Sequence, residues 1–271
     1  MTYVWFFFGV LWYTLGALVI CGLVVALCRR VFLAMMGGGF GRGIVLASSI
    51  VGTPIHELGH AIMCLLFGHR ITAMSLWQPR SKDGNLGYVT HTYRRRNPYH
   101  ILGNLFIGVG PIFSGLAILA LALRLGFPAT FSDYTSTAST MASHGEGGIL
   151  LFLEGMKMLP RMWGELVDGE SVSLWIKIPA ALVIFSVSQH VSLSIADIKG
   201  ALRALPLYGA FVLLLTVVCG LIGQQAMDTV TGALACFSAY MTAFFVIVLV
   251  MALLQVVIAL PVWLIRKLLG K

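Results

Sequence analysis

Apolar runs long enough to cross a bilayer recur from one end of this chain to the other, and they limit its fold more than any other feature. In hydrocarbon every backbone N–H and C=O must find a partner inside the chain, so runs of this length read as spanning helices. The expected fold is an all-α polytopic membrane protein of about six transmembrane helices in one membrane-embedded domain over 1–271. Those helices fall near 4–27, 44–68, 101–123, 175–191, 202–222 and 232–265. Of the residues 59% are hydrophobic and 10% charged, where soluble domains carry about 25% charged residues. The net charge of +8 is not gathered into a basic stripe interleaved with aromatics, so nucleic acid is not an expected partner and the lipid bilayer is. The five cysteines include no C-x-x-C pair and lie in or beside apolar runs, which makes them buried thiols with no disulfide framework.

The connections differ from one another. The first run has no charged segment before it and exceeds a signal peptide's core, so it reads as a span that stays in the protein. The glycines of 37–43 lack the G-K-[ST] of a phosphate loop and read as a flexible linker. Segment 69–100 is polar and basic. Within it, 71–77 and 86–93 read as short strands on either side of the turn residues Ser81, Lys82, Asp83, Gly84 and Asn85, a β-hairpin associated with the membrane after the second span. Its free edge could take an extended peptide as an added strand. The connection 126–174 reads as extramembrane, loop-like in its Ser/Thr-rich first half, with an interfacial helix over 149–159. His144 and Glu146 there read as solvated. Six crossings put both termini on the hairpin side. That side holds most of the Lys and Arg, so the positive-inside rule places termini and hairpin in the cytoplasm, with Arg29, Arg30 and Arg42 against the rule.

At the centre of the second run stands His56-Glu57-Leu58-Gly59-His60. Residues i and i+4 share one helical face, so both imidazoles can bind one metal ion, and Glu57 can reach a water beside it. Two histidines and a carboxylate are costly to bury in lipid without partners or a task. Gly59 leaves room for a neighbouring backbone to pack closely, and Gly68 is placed to end the helix.

A catalytic zinc usually takes three protein ligands. Asp197 and His190 are the candidates for the third. Asp197 follows Ser192-Leu193-Ser194 where a new helix begins, a position that favours an anion, and its charge would offset the ion's. His190 can also serve as a partner to a ligand or sit at the interface. Asn104, in the glycine-rich third run, can bond substrate or a ligand, or bridge two helices. Ser194 is a candidate for a similar supporting contact with substrate or a ligand, and with Ser192 it suggests a hydrated cavity.

With its His-Glu-x-x-His motif in a spanning run, the Gly87-Tyr88-Val89 hairpin that follows and the Gly/Pro-rich third run, the chain resembles the site-2 protease family of intramembrane zinc metalloproteases. Leu193 to Gly200 is similar to the aspartate-ligand segment of a bacterial branch, though Ile198 follows Asp197 and the glycine comes only at Gly200. The resemblance implies Zn2+ held by His56, His60 and Asp197, with Glu57 as catalytic base. It also implies hydrolysis of peptide bonds in membrane-spanning or peptide substrates, in a bacterial plasma membrane. The rival readings are a transporter or a degenerate protease that binds membrane partners without catalysis, and a hydrolase acting on a lipid or small amide.

Overall fold

Helices dominate, as the apolar runs require, in the computed structural model, which describes residues 3–37, 40–81, 84–143, 149–168 and 172–268. Helix α1 (Tyr3–Leu11) continues through a π-helical turn at Trp12–Gly16 into α2 (Ala17–Met36). Then come α3 (Phe40–Leu66), strands β1 (Arg70–Ser75) and β2 (Tyr88–Thr92), α4 (Pro98–Gly126), α5 (Pro128–Ser143) and α6 (Ile149–Asp168). The chain closes with α7 (Leu174–His190), α8 (Ile195–Leu202), α9 (Leu205–Ile222) and the 45-residue α10 (Gln224–Leu268).

Among the described residues, four helices are long and apolar enough to cross a membrane: Tyr3–Met36, Pro98–Gly126, Leu205–Ile222 and Gln224–Leu268. Two of the expected spans fall outside that set. Helix α7 is apolar but shorter, and α3 carries the polar motif. Yet the residues of α3 are sorted between two faces. Its Ser48, Ser49, Thr53, Glu57 and His60 are buried, while Ile50, Leu58, Ile62, Leu65 and Leu66 are exposed. That inverts a water-soluble amphipathic helix, whose apolar stripe faces the core.

Helices α3 and α4 cross where neither has a side chain. A Cβ on Gly59 would stand 2.7 Å from the Gly110 carbonyl carbon, and one on Gly110 would stand 2.6 Å from the Gly59 oxygen. The Ser114 hydroxyl locks this crossing by donating to the Ile55 carbonyl at 2.9 Å. Helix α4 starts at an Asn97 cap, whose side chain accepts from the Tyr99 N–H, with Pro98 in the first turn where its missing donor costs nothing.

The order of contacts fixes directions. Ile55 meets Ser114 and Phe67 meets Gly103, so α4 runs against α3. Val187 and Val191 lie at Gly115 and Ala180 at Gly126, so α7 runs against α4 and along α3. Tyr3 packs at Gly220 and Thr14 bonds the Tyr208 hydroxyl, so α9 runs against the α1–α2 helix. Since α3 turns back from α2, α7 and α9 run the same way, in series, with α8 between them. Arg266 donates to the Met35 carbonyl at 3.2 Å, which puts the end of α10 beside the end of α2. Tyr3 and Arg266 therefore lie at opposite ends of the bundle. The expectation of both termini on one side is corrected: it counted 175–191 and 202–222 as two reversals.

The hairpin after the second helix forms as expected, with shorter strands. Its antiparallel register runs from Arg70 opposite Thr92 to Ser75 opposite Tyr88, with an irregularity between Ile71 and Ala73. The turn residues Lys82 and Asp83 lie outside the described residues, as do His144, Glu146 and Glu170 of the connection. A second correction concerns 126–174, whose Ser/Thr-rich first half is helical. The hydroxyls of Thr135 and Thr137 bond carbonyls four residues back, at 2.8 and 2.9 Å, so a composition that reads as loop is satisfied within a helix. Glu165 accepts from the N–H groups of Ala129 and Thr130 and caps α5. Tyr134 reaches across to the Ala243 carbonyl of α10. Cys236 is exposed, unlike the buried thiols Cys64 and Cys219.

Candidate metal centre

His56 and His60 lie one turn apart on α3, edge to face, with ring centroids 5.0 Å apart. Each ring is fixed through Nδ1. His56 Nδ1 donates to the His190 carbonyl at 2.9 Å, and His60 Nδ1 donates to the Ile107 carbonyl at 2.7 Å. The donors define the tautomers and leave both Nε2 lone pairs free, the arrangement typical of metal-bound histidines.

Asp197 arrives from α8, which it helps to start. Its N–H donates to Ser194 Oγ at 3.1 Å, and its Oδ2 accepts from the Ser194 N–H at 2.8 Å, a reciprocal capping box. One carboxylate oxygen is thus anchored. The other, Oδ1, stands 3.3 Å from His60 Nε2. A tetrahedral ion with ligand bonds of about 2.0–2.1 Å sets its ligand atoms about 3.3 Å apart. Ligand atoms of His56, His60 and Asp197 lie within 4.8 Å of one another, and the three can hold a metal ion. Gly108 lets α8 approach α4, for a Cβ there would stand 2.8 Å from the Asp197 carbonyl oxygen.

Glu57 is buried beside the triad and opens on a cavity of about 540 Å³. The roof over it is the hairpin. A Cβ on Gly87 would lie 2.8 Å from Glu57 Cγ, 2.8 Å from Thr53 Cγ2 and 3.0 Å from the Ser75 carbonyl oxygen. Trp77 ties the hairpin to α3 through a 2.9 Å bond from Nε1 to Ser49 Oγ. On the cavity side of β2, His91 Nδ1 donates to His69 Nδ1 at 2.9 Å, since His69 Nε2 is committed to the His100 carbonyl at 2.8 Å. Burial, ahead of the neighbouring imidazoles, holds both His69 and His91 below the ordinary histidine value, so both stay neutral near pH 7.

The other sequence candidates take supporting places. His190 is not within the triad. Its ring lies between Ser48 Oγ at 3.2 Å and Thr53 Oγ1 at 3.4 Å, and its carbonyl holds His56. Ser194 holds Asp197. Asn104 lines the cavity, but its amide nitrogen bonds the Ile101 carbonyl of its own helix at 3.3 Å. Sequence reading did not find the carbonyls of Ile107 and His190, since any residue supplies a carbonyl. Nor did it find Arg29, His91 or the close seat of Gly87. For Gly87 one signal existed, a glycine standing just before β2 where a side chain would meet another backbone.

In comparisons with protein-family models, curated proteins and solved structures, nothing matches this chain.

Proposed function

We propose that the protein is a zinc-dependent intramembrane protease of the site-2 protease kind, hydrolysing peptide bonds of membrane-spanning substrates. The observation that carries this reading is the meeting of His56, His60 and Asp197, each oriented through its second polar atom, with Glu57 on one cavity among apolar helices. On this reading α3 and α7 also lie at bilayer depth, as part of about six membrane helices in a bacterial plasma membrane. The inward polar and outward apolar faces of α3 support that placement.

His56, His60 and Asp197 would hold the ion. Zinc there supplies a Lewis acid for the scissile carbonyl and makes a water acidic enough to ionise near pH 7. Glu57 takes the proton lost when water attacks and delivers it to the leaving nitrogen, one carboxylate serving as base and then acid. The hairpin seats its Gly87 edge on Glu57, where an extended substrate could pair with β2 in reach of the carboxylate.

The test uses the full chain in detergent or nanodiscs, as wild type and Glu57→Gln. Both variants are expected to carry about one zinc per chain, and only the wild type to cleave single-span substrates. Equal behaviour of the two, with zinc bound, would favour a metal-binding protein without hydrolysis. Absence of zinc from both would overturn the metal centre.

A further inference from the structure

Arg29 stands on α2 beside Arg30, and its side chain lines the same cavity as the triad and Glu57. It is near enough to His56 and His190 to act electrostatically on both rings. A guanidinium at such a position needs a partner, because an unpaired charge is costly away from water. Among the described residues it has none: no hydrogen bond or ion pair is made by Arg29. The acids that could serve are engaged or stand at the metal site. Glu154 pairs with Lys157 and Arg161, Glu165 caps α5, Asp228 holds Gln224, and Asp197 closes its capping box.

We infer that Arg29 is a substrate-recognition residue, and that the cavity selects membrane segments presenting a carboxylate close to the bond to be cut. This rests on the protease reading and names the substrate class of that site. A divalent ion would be balanced by Asp197 and Glu57, which leaves Arg29 as the uncompensated charge of the cavity. An anionic group entering with the substrate completes the balance. Arg offers a planar fork that takes a carboxylate through two parallel hydrogen bonds. The carboxylate can come from an Asp or Glu side chain or from a chain end.

Binding is measured at short times on the full chain carrying Glu57→Asp in nanodiscs, which keeps the cavity's charge and draws the carboxylate back from the reacting water, so that cutting is slowed. The probes are fluorescent Leu/Ala single-span peptides carrying one Glu stepped along their length, and the same series with Gln. A third series is truncated inside the span to end in a carboxylate or an amide. One Glu register, or one carboxylate end, is expected to bind at least tenfold more tightly than its neutral counterpart. Adding Arg29→Gln should abolish that preference and leave the neutral peptides unchanged, while Arg29→Lys keeps part of it. The two carboxylate sources are told apart by which series shows the effect. Absence of a charge preference in every series, or an equal loss for Glu and Gln peptides in Arg29→Gln, overturns the inference. Zinc content and wild-type cleavage are recorded separately, so a protease indifferent to substrate charge is distinguished from a chain that is no protease.

Discussion

Replacing Gly87 with alanine adds one methyl group at the place where the hairpin rests on α3. That methyl would stand 2.8 Å from Glu57 Cγ, 2.8 Å from Thr53 Cγ2 and 3.0 Å from the Ser75 carbonyl oxygen. Two of these neighbours are side-chain atoms held close to the α3 backbone and the third is backbone, so making room takes a shift of the hairpin or of a side chain at the site. Overpacking of this kind costs about 1–3 kcal/mol. The cheapest relief is to lift the hairpin or turn Glu57, and either displaces the proton acceptor from the attacking water. Loss of that positioning energy corresponds to a fall in kcat of about 5- to 150-fold. The ion's ligands come from α3 and α8, and not from the hairpin, so zinc content should stay at the wild-type value. Gly200→Ala is the matched control, since Gly200 lines the same cavity and its Cβ would have nothing within 4 Å. The assay compares cleavage rate, bound zinc and amide exchange over 70–92 for the three proteins. Wild-type turnover in Gly87→Ala would refute the seating of the hairpin on Glu57. Loss of zinc in that variant would show that the hairpin supports the metal centre itself.

Three further outcomes follow from the same geometry. Asp197→Ala removes a ligand and should weaken zinc binding by more than the roughly 10–100-fold typical of groups that only orient ligands. Ser194→Ala keeps the backbone N–H that anchors Oδ2 and should lose roughly tenfold or less; competition with a chromogenic chelator measures both. Gly59→Val forces apart the α3–α4 crossing and should lower thermal stability in detergent by more than Gly164→Ala, where a Cβ would meet nothing within 4 Å. Finally, burial holds His69 below the ordinary 6.5. A histidine with a depressed folded value contributes its stability above the unfolded value and loses it as pH falls below about 6.5. Proteolysis of the 70–92 hairpin should therefore rise between pH 7 and 5, and His69→Gln should flatten that rise.

What could be seen in the sequence was local. His56 and His60 announce their shared face by a spacing of four. Asp197 announces its place by standing three residues after Ser194, the spacing of a capping box at a helix start. The hairpin was legible from β-forming residues on either side of a turn. What could not be seen depends on helices meeting. Hydropathy locates apolar segments and not their directions, so α7 and α9 read as a reversal when they run in series. Side-chain hydroxyls that bond their own helix made α5 look like a loop. Arg29 looks like a topology signal until α2 is seen to turn it into the cavity.

The series arrangement of α7 and α9 also accounts for the site. A helix that stops inside an apolar bundle leaves carbonyls at its end, and the helix that follows leaves N–H groups at its start. Irregular backbone at such depth is tolerated where protein buries it or where it lines a cavity. Here the orphan groups and the candidate ligands satisfy one another. The last carbonyl of α7, that of His190, accepts from the Ser192 N–H at 2.9 Å and from His56 Nδ1 at 2.9 Å. At the start of α8 the Ser194 N–H is taken by Asp197. The break between the two helices thus orients one histidine and supplies the carboxylate, while the ligands remove the cost of the break. A continuous helix through 191–194 would leave His56 without its acceptor and carry Asp197 away from His60, so the interruption of the apolar run is as much a part of the candidate metal centre as the motif on α3.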